Sequence, residues 1–252
     1  MLYDPRSGPC SDRRGCFPGK SSMIAIVDYG AGNLFSVRNA LDFIGLENMV
    51  TDRAEDLEKA DGIILPGVGA FPDAMDLLTE SGLIGTLRKQ AEKKPLLGIC
   101  LGMQMLFEKG YEFRETDGLG FIEGTVDHLP EAGLKIPHMG WNDLIFNEPC
   151  PLLDGIDEGS YVYFVHSYAV TTSMKNIAAY TEYGCVVPAL VQKGNVFGAQ
   201  FHPEKSGDVG LQILRNFGKL VRETKEAADA SAGRERGGID ACQKDHSLSR
   251  CP

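Results

Sequence analysis

The sequence has little that would carry it to a membrane, a nucleic acid or an oxidising compartment. No stretch approaches the roughly 18 uninterrupted apolar residues of a membrane-spanning helix, and the first residues lack the apolar run of a secretory leader. Basic residues are in deficit, with 25 Lys and Arg against 35 Asp and Glu and a formal net charge of -10. That balance argues against a phosphate backbone as the main partner, because such binding is driven by clustered cations. The seven cysteines include no C-x-x-C pair and are odd in number, which fits neither a zinc ribbon nor a dense disulfide framework. Four of them (Cys10, Cys16, Cys242, Cys251) lie near the ends. Cys100, Cys150 and Cys185 remain, and a reducing compartment would keep them as thiols. The expected address is the cytoplasm.

What is present has the ordinary balance of a globular chain, with 43% hydrophobic and 24% charged residues. Residues 1–22 mix Pro, Gly, Ser and charge without apolar periodicity, and they are expected to form a disordered extension. Residues 223–252 are small, polar and charged, and are expected to be mostly disordered too. Between them, residues 23–222 form the expected single domain. Its apolar runs MIAIVDY, GIILPG and PLLGIC alternate with helix-period stretches, the later ones from Ala70 to Lys93 and from Leu101 to Lys109. Short buried strands separated by helices predict an α/β fold around a mostly parallel sheet. Further on, YVYFVHSYAV, NIAAYTEY and PALVQKGNVFGAQF read as antiparallel or mixed strands that extend this sheet before a final helix.

The sequence Gly98-Ile99-Cys100-Leu101-Gly102 stands where an apolar strand meets an amphipathic stretch. A nucleophile flanked in this way by small residues suits a sharp strand-to-helix elbow that holds its side chain above the sheet. The helix behind it would favour the thiolate and offer free backbone N–H groups to an oxyanion. Read alone, Cys100 is equally a small core residue. A second motif shifts the balance: Gln200-Phe201-His202-Pro203-Glu204 follows another apolar run, so His202 falls at a strand end with Glu204 two residues on. In extended backbone these two project to one side, a carboxylate orienting an imidazole that can take a proton from Cys100. A third element, Leu65-Pro66-Gly67-Val68-Gly69, brings a glycine-flanked N–H to the end of a neighbouring strand.

In this order and spacing, PGVGAF, GICLGMQ and QFHPEKS resemble the triad-type (class I) glutamine amidotransferases over residues 23–222. The opening IAIVDYGAGNLFSV together with HMGWN and YFVHSY is most similar to the glutaminase subunits of imidazole glycerol phosphate synthases. The resemblance implies a Cys100–His202–Glu204 triad and an oxyanion hole made by the N–H groups of Val68 and Leu101. It also implies a glutamine site lined by Gly67, Gly69, Gln104, Glu112 and the backbone of Ser167 and Tyr168. His138 and His166 are expected to be structural. No metal or organic cofactor is implied. The implied partner is a (β/α)8-barrel cyclase that consumes the ammonia in a heterodimer, met through Asn33, Trp141, Tyr163 and Lys205. The glycines around Val68 would let its peptide flip inward when the partner is loaded. Three alternatives stay open from sequence: a glutaminase serving another synthase, a non-catalytic binding module on the same scaffold, and a cysteine peptidase with a similar elbow.

Overall fold

The computed structural model describes residues 22–244, the side chains of 232–244 excepted. The chain begins with an alternation of β1 (Ile24–Val27), α1 (Leu34–Phe43), β2 (Asn48–Thr51), α2 (Ala54–Lys59) and β3 (Gly62–Gly67). It continues with α3 (Phe71–Glu80), α4 (Ile84–Ala91), β4 (Leu96–Cys100) and α5 (Leu101–Gln104). Short strands follow: β5 (Lys109–Gly110), β6 (Thr116–Asp117), β7 (Thr125–His128), β8 (His138–Asp143) and β9 (Ile145–Phe146). Then come β10 (Tyr161–His166), β11 (Tyr168–Thr171), β12 (Ile177–Glu182), β13 (Val186–Lys193) and β14 (Val196–Ala199), before α6 (Gly207–Lys244).

Eight strands form the main sheet in the order β2-β1-β3-β4-β14-β13-β12-β9. The first five are parallel and the last three antiparallel, a mostly parallel mixed sheet flanked by helices. Alternation along the strands feeds two cores. Ala25, Val27, Ile63 and Leu65 pack with Leu57, Leu78 and Leu87 from α2, α3 and α4. On the other face Ile24, Ile26, Ile64, Leu97 and Ile99 pack with Val37 and Leu41 of α1 and with Ile213, Phe217 and Val221 of α6. Each such Val, Leu, Ile or Phe side chain contributes about 1.5–3 kcal/mol by leaving water, so the central strands hold their ends at fixed spacing.

Four expectations from sequence need correction. The stretch 70–93 is two helices, broken at Ser81-Gly82, where Gly82 takes φ 71°. The helix after Cys100 ends at Gln104 rather than Lys109; Met105, Leu106 and Phe107 are all fully buried, which a one-sided helix cannot achieve. The run YVYFVHSYAV does not join the main sheet. It divides at Ser167, where the backbone changes partners: β10 pairs with β8, whereas β11 enters a four-stranded sheet, β11-β7-β5-β6. Finally, α6 runs on through residues 223–244 instead of giving way to a tail at 223. Glu223, Lys225, Glu226, Ala227 and Ala228 are strong helix formers, and the Lys225 ammonium holds the Asp61 carboxylate at 2.9 Å. The remainder of the two expected tails, 1–21 and 245–252, lies outside the described residues. No described helix is long and apolar enough to cross a membrane.

Candidate active site

Strands β3, β4 and β14 lie side by side, with Gly67 opposite Cys100 and Ile99 opposite Ala199. The three motifs singled out in the sequence therefore emerge from adjacent strand ends at one edge of the sheet, where open α/β sheets place their sites.

Cys100 closes β4 with φ 54° and ψ -112°, a left-handed conformation for a residue that carries a Cβ. Such strain costs about 1–3 kcal/mol and persists only where packing imposes it. The flanking glycines show how it is imposed. A Cβ on Gly102 would stand 1.9 Å from the Leu65 carbonyl oxygen, and one on Gly98 would stand 2.6 Å from the Gly102 carbonyl oxygen. The turn is thus pressed against β3 with no room for side chains. A Cβ on Gly67 would lie 2.6 Å from the Gly102 nitrogen, so the PGVG loop is in contact with the elbow. Gly69 takes φ 102°, while the Val68 side chain is exposed. Leu101 opens α5, and first-turn N–H groups of a helix have no acceptor within the helix. With only four residues, α5 brings those N–H groups but little of a macrodipole.

His202 follows β14, and its ring lines the same cavity as the Cys100 thiol, near enough for the two groups to influence each other's charge. Its Nδ1 lies 2.8 Å from Glu204 Oε1, which leaves Nε2 for the sulfur. The segment linking the two is not extended, as sequence spacing suggested. Pro203, with its fixed φ, starts a single 3-10 turn over Pro203–Lys205. The ring is held from behind by backbone: the His202 N–H donates to the Tyr163 carbonyl (3.0 Å), and the Ser206 hydroxyl donates to the His202 carbonyl (2.7 Å). Burial alone would lower the imidazole's basicity. The hydrogen bonds and charges of Cys100 and Glu204 outweigh it and raise His202 from its ordinary 6.5 to about 9.

A cavity of about 380 Å³ opens over the thiol and is lined by Val68, Gly69, Leu101, Gln104, Glu112, Ser167, Tyr168, His202 and Lys205, among others. Gln104 is buried rather than facing solvent; its amide nitrogen donates to the Tyr168 carbonyl (3.0 Å) and to Gln200 Oε1 (3.0 Å). Glu112 Oε2 accepts from the Phe71 N–H at the start of α3 (2.7 Å). The Ser167 and Tyr168 carbonyls are both engaged within the protein, the first by the Leu129 N–H and the second by Gln104 and His166. Of the four residues expected at a partner surface, Trp141 is exposed and meets Tyr163 edge-on at 5.9 Å across β8 and β10. Lys205 is exposed at the rim of the cavity, and half-buried Asn33 caps α1 by accepting from the Ser36 N–H.

Sequence reasoning gave no place in the site to Val165 and His166, which line the cavity, or to Gln200; the Val165 carbonyl lies 3.9 Å and Gln200 Nε2 3.8 Å from the Cys100 sulfur. Gln200 was detectable in principle, since it precedes His202 by two residues on the same side of the chain. His166 is a buried neutral ring, pushed down to about 4 by burial, and it shares a 2.9 Å hydrogen bond with His138. A larger cavity, about 650 Å³, lies between Phe146–Asp154 and α6. Its thiol, Cys150, is pushed up to about 11 by burial, and no imidazole lines that cavity.

The class-I glutamine amidotransferase family profile matches residues 25–220. Imidazole glycerol phosphate synthase subunit HisH of Bacillus cytotoxicus is 51% identical over 206 residues, spanning 81% of this chain and 98% of that protein. The subunit of the same name from Caldanaerobacter subterraneus subsp. tengcongensis is 51% identical over 202 residues, spanning 79% and 99%. Among solved structures, PurLQS from Thermotoga maritima superposes with TM-score 0.63 at 22% identity over 78% of this chain and 97% of that one, a likeness of fold. Half-identity to these subunits over nearly their whole length, together with the family profile, establishes that the chain belongs to the class I glutamine amidotransferases, in the family of imidazole glycerol phosphate synthase HisH subunits.

Proposed function

We propose that the chain hydrolyses glutamine at Cys100 and delivers the ammonia to a (β/α)8-barrel cyclase, which builds imidazole glycerol phosphate and an aminoimidazole carboxamide ribotide in histidine biosynthesis. The observation that carries this reading is the strained Cys100 at a strand end, sharing a cavity with a His202 whose Nδ1 is held by Glu204. The Cys100 thiolate attacks the side-chain carboxamide carbon of glutamine. The Leu101 N–H, and that of Val68 once turned inward, receive the developing oxyanion. The C–N bond then breaks as His202, an imidazolium at neutral pH, gives its proton to departing ammonia. Water next loses a proton to His202 and attacks the γ-glutamyl thioester; the C–S bond breaks, and glutamate leaves. No step needs a metal or an organic cofactor.

Gln104 supports substrate binding. Both its N–H groups are taken by protein acceptors, which leaves its carbonyl oxygen for the substrate ammonium. Glu112, anchored at α3, adds negative charge on the same wall. Lys205 at the cavity rim, with exposed Trp141 packed on half-buried Tyr163, whose carbonyl holds the His202 N–H, offers the cyclase a surface near the point where ammonia is released. A Cys100→Ala variant reconstituted with the cyclase should lose glutamine-dependent synthesis by at least about a thousandfold and keep ammonia-dependent synthesis. Retention of glutamine-dependent turnover would refute the assignment.

A further inference from the structure

The sulfur of Cys100 meets a side-chain donor besides the neighbouring His202 ring: Gln200 Nε2 lies 3.8 Å from Sγ, and Gln200 is completely buried. An amide could in principle present either end, and the surroundings decide which. The Tyr168 main-chain carbonyl can only accept, so the Gln104 atom facing it at 3.0 Å must be the NH2 group. That same NH2 group faces Gln200 at 3.0 Å, so Gln200 must turn its oxygen to Gln104 and its own NH2 group to the sulfur. The Tyr168 carbonyl is fixed from its other side by His166 Nδ1 at 2.8 Å. This puts the proton on Nδ1 and leaves His166 Nε2, 2.9 Å from His138 Nδ1, without one. One main-chain oxygen thus sets the polarity of every link from His166 to the nucleophile.

We propose that Gln200 is a further catalytic residue, a fixed amide donor to the Cys100 sulfur, with Gln104 and His166 as positioning residues that set its orientation. The inference rests on Cys100 being the nucleophile. Gln200 and Cys100 are both buried, and a donor directed at an anion in such surroundings is worth far more than in water. An amide suits this place because it cannot take up the proton. His202 can therefore leave the sulfur to protonate ammonia while Gln200 remains. The chain also links two events, since Gln104 lines the glutamine cavity and aims the group that touches the thiolate.

The test is Gln200→Met, close to glutamine in volume and without a donor, assayed in the reconstituted complex with the cyclase. Two readouts are needed: kcat and KM for glutamine, and the pH dependence of Cys100 alkylation by iodoacetamide. The variant should lose about 10- to 100-fold in kcat with KM changed by less than about threefold, and its alkylation profile should move to higher pH. A folded variant with kcat within twofold of the parent and an unmoved alkylation profile overturns the proposal. If Gln200→Met does not fold, Gln200→Glu keeps the acceptor for Gln104 and puts a carboxyl against the sulfur. Its activity should then fall as pH rises through the carboxyl's titration, and a parental pH profile overturns the proposal equally. Glutamate release by the parent complex separates the two levels: without it the glutaminase reading fails, and with it only the role of Gln200 is at issue.

Discussion

His202 and His166 share one cleft, and their surroundings drive them in opposite directions. His202 is buried against Cys100 and Glu204 and rises from 6.5 to about 9, whereas burial, only partly offset by the Tyr168 carbonyl, takes His166 down to about 4. For His202 the folded value lies above the unfolded one, so its contribution to stability is fully present below about pH 6.5 and is lost as pH rises through 9. For His166 the folded value lies below, so its contribution is present above about pH 6.5 and is lost as pH falls through 4. The thermal midpoint should therefore peak near pH 6.5, with each limb sloping by up to about 1.4 kcal/mol per pH unit. Glu204→Gln removes one of the two groups that hold His202 up, Cys100 being the other, and should make the alkaline limb shallower while leaving the acid limb. Differential scanning calorimetry between pH 5 and 9 checks this (a window of about four units around the histidine range), and an unchanged alkaline slope in the variant would count against the His202–Glu204 coupling.

At the scale of elements, the elbow depends on glycines that meet neighbours, while other glycines meet nothing. Gly102→Ala would drive a Cβ to 1.9 Å from the Leu65 carbonyl and should cost at least about 3 kcal/mol. Gly85→Ala in α4 meets no atom within 4 Å and should stabilise by roughly 0.5–1 kcal/mol. Urea unfolding of the two variants should bracket the parent, and similar midpoints would show that the elbow relaxes more than its packing suggests. The parallel strands and the three strand-end motifs were legible in the sequence because buried strands read as unbroken apolar runs and because the cysteine elbow, His-Pro-Glu and glycine loop are local patterns. Less legible was anything set by distant partners. The early end of α5 follows from three consecutive residues being buried by different neighbours, and the division of YVYFVHSYAV follows from β8 and β7 competing for one run. The orientation of Gln200 depends on a carbonyl 32 positions away in sequence, a separation no spacing rule reaches.

For the whole molecule, the site lies on the rim of the sheet beside an aromatic surface on the β8–β10 ribbon. Met139, Trp141 and Tyr161 are all more than half exposed there, with Tyr163 beneath Trp141. Exposure of this kind costs the isolated chain little to alter, whereas buried aromatic anchors dominate binding. Trp141→Ala should leave the thermal midpoint of the free chain within about 2 °C of the parent and weaken cyclase binding by about tenfold or more. Calorimetric titration measures the affinity, and an unchanged value would move the interface elsewhere. Trp141 is also the sole tryptophan in the sequence. Every indole photon from this protein therefore comes from the ribbon beside the cavity mouth. An emission band that shifts to the blue on adding the cyclase, itself freed of tryptophan, would time docking without a label, and mixing it rapidly with glutamine would show whether the surface moves before or after the thioester forms.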